Sequence, residues 1–135
     1  MEYLIGLALA LAVCGLAGVA GFDRDRVFYP TMLIPVATYY ILFAVMAGST
    51  PALARESVAA GLFILLAGAG FARNLWWAVA GLAGHGLFDL LHPLLIANPG
   101  VPLWWPGFCL AYDVLAAGFL AMLLRRRSQF ASRPA

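Results

Sequence analysis

Two histidines and one aspartate stand at helical spacing within one apolar stretch of the sequence. The stretch, residues 84–93, reads Gly-His-Gly-Leu-Phe-Asp-Leu-Leu-His-Pro. His85, Asp89 and His92 occupy positions i, i+4 and i+7, which lie on one stripe of an α-helix. Imidazole and carboxylate groups can exchange protons, pair with one another or ligate a metal ion. This segment is therefore the first candidate for a functional site.

Glycine and proline residues modify the helix that carries these side chains. Gly84 and Gly86 flank His85 and would let a neighbouring helix approach it closely. Pro93 cannot donate the backbone hydrogen bond that the carbonyl of Asp89 would otherwise accept. That carbonyl must then find another partner, such as water, a side chain or an ion. The helix is predicted to be weakened beside its own ionisable groups.

The composition indicates that this segment lies in a membrane. Of the 135 residues, 64% are hydrophobic and 10% are charged, whereas an ordinary soluble domain is about 25% charged. A spanning helix takes roughly 20 residues, so five of them would occupy about 100 residues. We predict an all-α integral membrane protein with a single transmembrane domain over residues 1–135.

Apolar runs separated by turn signals divide the chain into about five transmembrane helices. The predicted spans cover residues 3–21, 28–48, 51–71, 75–96 and 104–124. Pro35 lies inside the second span and predicts a kink there. Thr50 and Pro51 form a helix-start signal before the third span, with Thr50 as the N-cap.

The arginines predict the orientation of the bundle. With the C-terminus in the cytoplasm, seven of the eight arginines lie inside, and Arg55 alone lies outside. The seven are Arg24, Arg26, Arg73, Arg125, Arg126, Arg127 and Arg133. This positive-inside bias requires an odd number of spans with the N-terminus outside. We expect a multi-pass protein of the cell membrane, in a bacterial cell the inner membrane.

The chain offers surfaces for lipid and for other helices, and no nucleic-acid partner is expected. The three arginines at 125–127 directly follow the last span, which is typical of a cytoplasmic helix end. Cys14 and Cys109 fall inside apolar spans without metal-ligand spacing, and we interpret them as packing residues. Ala10, Cys14 and Gly18 recur every four residues in the first span. Such small residues, with the Gly/Ala-rich faces of the third and fourth spans, would permit a homo-oligomer.

Five ionisable side chains and one tyrosine fall at similar predicted depths, on four different spans. Counted at about 1.5 Å per residue, they lie between ~6 and ~16 Å from the outer helix ends. The set consists of His85, Asp89, His92, Asp113, Glu56 and Tyr40. Ionisable groups at such depths face the bundle interior or a water-filled cavity. We therefore predict one polar site in the outer half of the bilayer, with Asp89 and Asp113 in the same cavity.

Some of these residues also have a plain structural interpretation. His92 can mark the end of its helix, and Arg55 with Glu56 can form a neutralising pair at the outer interface. Asp89 and Asp113 are harder to explain in this way, because an aspartate inside a membrane is functional by default.

Three functions are compatible with this set. The first is proton- or cation-coupled transport of a small solute, in which the ionisable groups change charge and Pro35 and Pro93 provide points of bending. The second is an intramembrane metal-dependent enzyme, hydrolase-like, that acts on a lipidic substrate. The third is a structural or assembly subunit, although polar pairs between membrane helices contribute only about 0.6 kcal/mol each. Transport is the first expectation and enzymatic activity the second.

A divalent metal such as zinc or iron is the cofactor that these residues would hold. His85 and His92 are ~10 Å apart along the helix axis, too far to ligate one ion at ~2 Å. A metal would therefore take Asp89 with either His85 or His92. Asp113 or Glu56, from other spans, would complete the ligand set.

Reporter fusions test the orientation. Fusions after Ser49 and after Gly100 should report a location outside the cytoplasm, and a fusion after Asn74 should report the cytoplasm, because of the arginine bias. Two reporters, each active on only one side of the membrane, provide the measurement at every position. A cytoplasmic signal after Gly100 would remove the topology together with the depths derived from it.

Overall fold

Five long helices account for most of residues 1–131, which are the residues that the computed structural model describes. They are α1 (Glu2–Ala20), α2 (Phe28–Met46), α3 (Thr50–Ala72), α4 (Trp76–Leu95) and α5 (Trp105–Ala131), with a short 3₁₀ turn (Phe22–Arg24) between α1 and α2. Each of the five is long and apolar enough to cross a membrane. The prediction of an all-α chain with five such helices is confirmed, and the orientation stays a prediction.

Local sequence signals determine the helix ends. Gly21 ends α1 with a φ of 80°, a left-handed conformation that glycine adopts without strain. Ser49 is the N-cap of α3, and its hydroxyl accepts a hydrogen bond from the backbone N–H of Ala52. The predicted N-cap, Thr50, is instead the first helical residue. α5 continues beyond the predicted end at Leu124, because the polar residues that follow include good helix formers such as arginine.

α4 packs against three of the other four helices. Its neighbours are α3, α5 and, over a smaller area, α2, whereas α1 packs mainly on α5. The buried stripe of α4 consists of Ala78, Gly81, Leu82, His85, Gly86, Asp89 and His92. The two histidines and the aspartate therefore face the interior of the bundle.

The connections bring most of the arginines to one end of the bundle. Arg26 donates from Nη1 to the carbonyl oxygen of Arg73 at 3.1 Å, which joins the α1–α2 and α3–α4 connections. Arg127 donates from Nη2 to the carbonyl oxygen of Asp23 at 2.8 Å, so the end of α5 lies there too. We call this the arginine end. The opposite end, with the α2–α3 and α4–α5 connections, is called the loop end. Arg133 lies outside the described residues.

Small residues let α1 pack closely on α5. The buried side of α1 consists of Gly6, Ala10, Cys14 and Ala17. A Cβ at Gly6 would overlap the carbonyl oxygen of Phe108 on α5. Gly18, which the four-residue spacing placed in this row, is exposed, because a helix with 3.6 residues per turn rotates a strict four-residue row off its face. This face of α1 therefore packs within the chain.

Gly86 holds α4 against α5 beside the polar residues. A Cβ at this position would lie 3.0 Å from Cγ2 of Val114 and 3.4 Å from the carbonyl oxygen of Leu110, both on α5. Gly84 has a different neighbour, since the atom nearest to its Cβ position is Cε1 of Phe63 on α3, at 3.8 Å. Residues two positions apart point to different sides of a helix. Gly86 alone of the two therefore sets the distance to α5.

We expect Gly86→Leu to destabilise the bundle and Gly15→Leu to leave it nearly unchanged. The larger side chain at position 86 must displace α5, and overpacking of this kind costs about 1–3 kcal/mol. Gly15 on α1 is the control, because no described atom beyond its local helix backbone lies within 4 Å of its Cβ position. Unfolding in mixed SDS micelles, followed by circular dichroism, measures both free energies. Equal stability of the two variants would contradict the close α4–α5 contact.

Candidate functional site

All six residues of the predicted site lie inside the bundle. They are Tyr40 on α2, Glu56 on α3, His85, Asp89 and His92 on α4, and Asp113 on α5. None of them exposes more than 2% of its surface. Their convergence follows from the packing of α4, which carries three of the six, against the helices that carry the others.

His85, Asp89 and Asp113 form one group, which we call the inner cluster. Nδ1 of His85 lies 2.7 Å from Oδ2 of Asp113 and 3.3 Å from Oδ2 of Asp89. Tyr40 donates its hydroxyl hydrogen to Oδ1 of Asp89 at 2.7 Å. The two aspartates, from different helices, thus meet at a single imidazole nitrogen.

Glu56, His92 and Asn98 form a second group, which we call the loop-end cluster. Oε1 of Glu56 lies 2.8 Å from Nε2 of His92 and accepts a hydrogen bond from Nδ2 of Asn98 at 2.9 Å. Arg55, next to Glu56 in the chain, is exposed, because consecutive residues of a helix point about 100° apart. The partners of Glu56 within residues 1–131 are therefore His92 and Asn98, and an Arg55–Glu56 pair is not formed there.

Tyr40 connects the two clusters. Its ring stacks on the imidazole of His92, with centroids 4.1 Å apart and an angle of 20° between the planes. Its hydroxyl reaches Asp89, and its backbone carbonyl accepts a hydrogen bond from Asn98 at 3.0 Å. The neighbouring Tyr39 is 41% exposed. Of the two adjacent tyrosines, α2 therefore turns Tyr40 into the site.

Asn98 is the member of the network that sequence reasoning missed. It lies in the α4–α5 connection before Pro99 and Gly100, where asparagine is a common turn residue. Its Oδ1 accepts a hydrogen bond from the backbone N–H of Gly100 at 3.2 Å, as in an ordinary turn. A Cβ at Gly100 would overlap the carbonyl oxygen of Phe43, so this turn sits directly on α2. That close contact, which no sequence pattern signals, brings the amide nitrogen of Asn98 into the site.

Among residues 1–131, the inner cluster is the group whose geometry could hold a metal ion. One ligand atom from each of its three residues lies within 4.8 Å of the other two. His92 pairs with Glu56 instead. Of the two histidines considered as ligands, His85 is therefore the one that meets both aspartates.

Four buried polar atoms of the two clusters have no hydrogen-bond partner among the described residues. They are Nε2 of His85, Oδ2 of Asp89, Oδ1 of Asp113 and Oε2 of Glu56. Oδ2 of Asp89 is near Nδ1 of His85, but it is not aligned for a hydrogen bond. An unsatisfied buried polar group costs about 1–3 kcal/mol. The network thus retains the capacity to bind a further group.

A cavity at the loop end reaches the network. A cavity of about 500 Å³ has His92 and Asn98 in its wall, together with apolar residues such as Ile96 and Leu103. Towards the arginine end, the bundle is filled by apolar side chains, among them Leu33, Leu82 and Leu120. The inner cluster therefore lies between a cavity on one side and a packed core on the other.

Similarity to characterised proteins does not identify this site. No protein-family model matches the chain, and no curated protein or solved structure is significantly similar to it.

We expect the carboxyl group of Asp89 to respond to a change at Asp113. Asp113→Asn removes the carboxylate that lies 2.7 Å from Nδ1 of His85, so the imidazole should hydrogen-bond more strongly to Asp89 and shift its infrared carboxyl band. Difference spectra against Asp89→Asn assign the band. Glu56→Gln is the control, because Glu56 contacts His92 and Asn98. An identical Asp89 band in wild type and Asp113→Asn would show that the two aspartates do not share His85.

Proposed function

We propose that the protein is a carrier that couples the movement of a small solute across the membrane to a proton or metal cation bound in this network. The observation that carries the proposal is the charge of the network. It contains three carboxylates, on Glu56, Asp89 and Asp113, and two imidazoles, on His85 and His92. Even with both imidazoles cationic, one negative charge is left without a counter-charge.

The arginines do not supply that counter-charge. Within residues 1–131, the ion pairs of the three carboxylates are with His85 and His92. Arg55 is exposed, and the other described arginines lie at the arginine end. A buried charge without compensation costs several kcal/mol, so the folded protein should bind an additional proton or metal ion. A buried cation-binding group of this kind is the central requirement of a cation-coupled carrier.

The surroundings of the network also support transport. Carriers expose a site inside the membrane to one side at a time. Here the cavity leads to His92 and Asn98 from the loop end, and the apolar core closes the opposite side. A cation entering from the cavity would meet the loop-end cluster first and pass Tyr40 to reach the inner cluster.

Two prolines provide the points at which the helices can bend between such states. Both α2 and α4 continue through their prolines, at Pro35 and Pro93. Each proline leaves the carbonyl four residues earlier, at Thr31 and Asp89, without its usual helical hydrogen bond. Because Asp89 is itself in the inner cluster, bending at Pro93 would act directly on the cation site.

We propose that the chain forms a homo-oligomer through α3. A second copy of the chain would enlarge the protein surface that surrounds a solute pathway. The small-residue face of α1 packs within the chain, and Gly70 and Gly81 are in contact with neighbouring helices. Gly61 and Gly68 of α3, two turns apart, have no described atom beyond their local helix backbone within 4 Å of their Cβ positions. Such a pair permits close approach of another helix.

The ligand geometry of the inner cluster favours a second function, metal-dependent hydrolysis of a lipidic substrate. A metal-bound water becomes a nucleophile near neutral pH, and the apolar wall of the cavity would accept an acyl chain. Transport ranks first because the cavity reaches His92, whereas the inner cluster lies deeper, beyond Tyr40. The scissile bond of a substrate held in this cavity would not contact the metal.

Flux measurements in proteoliposomes test the carrier. Vesicles are loaded with the pH indicator pyranine and challenged with a panel of amino acids, carboxylates and amines, with Zn²⁺ present or absent. At least one solute should enter with a change in luminal pH or in a Zn²⁺-dependent manner. Asp113→Asn should reduce the rate of uptake by more than about 10-fold, which corresponds to a loss of about 1.4 kcal/mol or more in the coupling free energy between cation and solute.

Asp25→Asn is the matched control for these measurements. Asp25 lies in the exposed α1–α2 connection, and its Oδ1 accepts a hydrogen bond from the backbone N–H of Val27 that an asparagine oxygen can also accept. This variant should transport like the wild type. Equal uptake of every solute by wild type, Asp113→Asn and protein-free vesicles would argue against transport, and release of fatty acid from added lipid would then favour the hydrolase.

A further inference from the structure

We propose that the coupling cation is a divalent transition-metal ion, such as Zn²⁺ or Fe²⁺, ligated by His85, Asp89 and Asp113. The inference rests on the proposed function where it names the ion as the coupling cation, whereas the metal site itself stands on the geometry of the cluster. Three residues from two helices, α4 and α5, supply the ligands.

The spacing of the ligand atoms fits one ion. Zn–N and Zn–O distances of about 2.0–2.2 Å place two ligand atoms of the same ion no more than about 4.4 Å apart. In the inner cluster the three ligand atoms already lie within 4.8 Å of one another. In a tetrahedral site the same bond lengths place neighbouring ligand atoms about 3.3–3.6 Å apart, so side-chain movements of about 1 Å would bring them to bonding distance.

The unpartnered oxygens of the two aspartates are the second observation. Oδ2 of Asp89 and Oδ1 of Asp113 are buried and have no hydrogen-bond partner among the described residues. Each aspartate is 0% exposed, so bulk water does not satisfy these oxygens. An ion between the two carboxylates would give these oxygens a partner. Nδ1 of His85 faces both aspartates and would be the third ligand once the ion displaces the proton that Nδ1 shares with Oδ2 of Asp113, which is released to solvent.

The charge and chemistry of the ligands select the class of ion. Two carboxylates and a neutral imidazole carry two negative charges, which a divalent cation neutralises within the low-dielectric interior. Mg²⁺ and Ca²⁺ prefer all-oxygen ligands and six or more of them. Imidazole suits zinc and iron. The set therefore favours a transition metal over an alkaline-earth ion.

Tyr40 is the positioning residue for this ion. Its hydroxyl donates to Oδ1 of Asp89 at 2.7 Å, which orients the carboxylate so that Oδ2 faces His85. Groups that hold metal ligands in place typically change the affinity by 10–100-fold when they are removed. The ring of Tyr40 also stacks on His92, so the residue that orients the ligand also separates the ion from the loop-end cluster.

The loop-end cluster does not offer an equivalent site. It contains one carboxylate, on Glu56, and the same oxygen, Oε1, contacts both Nε2 of His92 and Nδ2 of Asn98. The amide nitrogen of Asn98 is a donor and cannot ligate a metal. This cluster therefore lacks the two-carboxylate ligand set of the inner one.

Titration of the purified, chelator-treated protein with Co²⁺ tests the site, with Zn²⁺ competition as a second probe. One Co²⁺ per chain should bind with visible d–d absorption and be displaced by Zn²⁺. Asp113→Asn should weaken binding by more than about 100-fold and Tyr40→Phe by about 10–100-fold. Asp25→Asn, in the exposed α1–α2 connection, should bind Co²⁺ like the wild type. Absence of stoichiometric Co²⁺ in the wild type, or equal binding by Asp113→Asn, would overturn the site.

Asp113→Cys keeps the test decisive if the asparagine variant does not fold. A thiolate is also a ligand for such ions, so the variant should bind Co²⁺ and add a sulfur-to-cobalt charge-transfer band in the near ultraviolet. A folded Asp113→Cys protein that binds Co²⁺ without this band would exclude position 113 as a ligand.

The flux measurement separates failure of the metal site from failure of the carrier. If chelator-treated wild-type vesicles bind no metal yet move solute with protons, the coupling ion is a proton, and the inference is wrong while the carrier stands. If Co²⁺ binds at the inner cluster but no solute moves, the metal site stands and its role in coupling is wrong.

Discussion

A carboxylate removed from water must find partners that replace its hydration, or it destabilises the fold by several kcal/mol. This protein buries three carboxylates inside an apolar bundle, and each depends on a group from a different helix. Glu56 on α3 and Asp113 on α5 each pair with a histidine of α4, and Asp89 accepts a hydrogen bond from Tyr40 on α2. The positions of four helices are thereby tied to the satisfaction of these groups.

The need of each buried carboxylate for a partner on another helix explains why α4 lies between its neighbours. It carries both imidazoles and one aspartate on its buried stripe, so it must contact α2, α3 and α5 at once. Gly86 makes the approach to α5 possible at the level of Asp113, because a side chain there would meet Val114. α1 carries no member of the network, and its small residues pack on the outside of α5. The polar network thus accounts for the arrangement of α2 to α5.

The network that joins the helices also contains buried polar atoms that have no hydrogen-bond partner among the described residues. A structural pair needs only as many acceptors as donors, but here carboxylate oxygens outnumber their donors, and the excess is buried. These unpartnered carboxylate oxygens lie next to the turn of α4 that Pro93 weakens and below a cavity at the loop end. If these residues served only to hold the helices together, apolar residues at the same positions would make the bundle more stable. This imbalance favours a functional role for the network over a structural one.

The sequence by itself determined the five helices, because apolar length and turn residues are local properties. Every predicted end except that of α5 lies within two residues of the one observed. It also placed His85, Asp89 and His92 on one stripe, since that follows from helical periodicity. It could not decide which histidine meets the two aspartates, or that Asn98 donates to Glu56 while it remains part of its turn. Those outcomes depend on the rotation of each helix about its axis and on the distance between helices. Both are decided by side-chain packing between segments far apart in the chain, and only the tertiary structure contains that information.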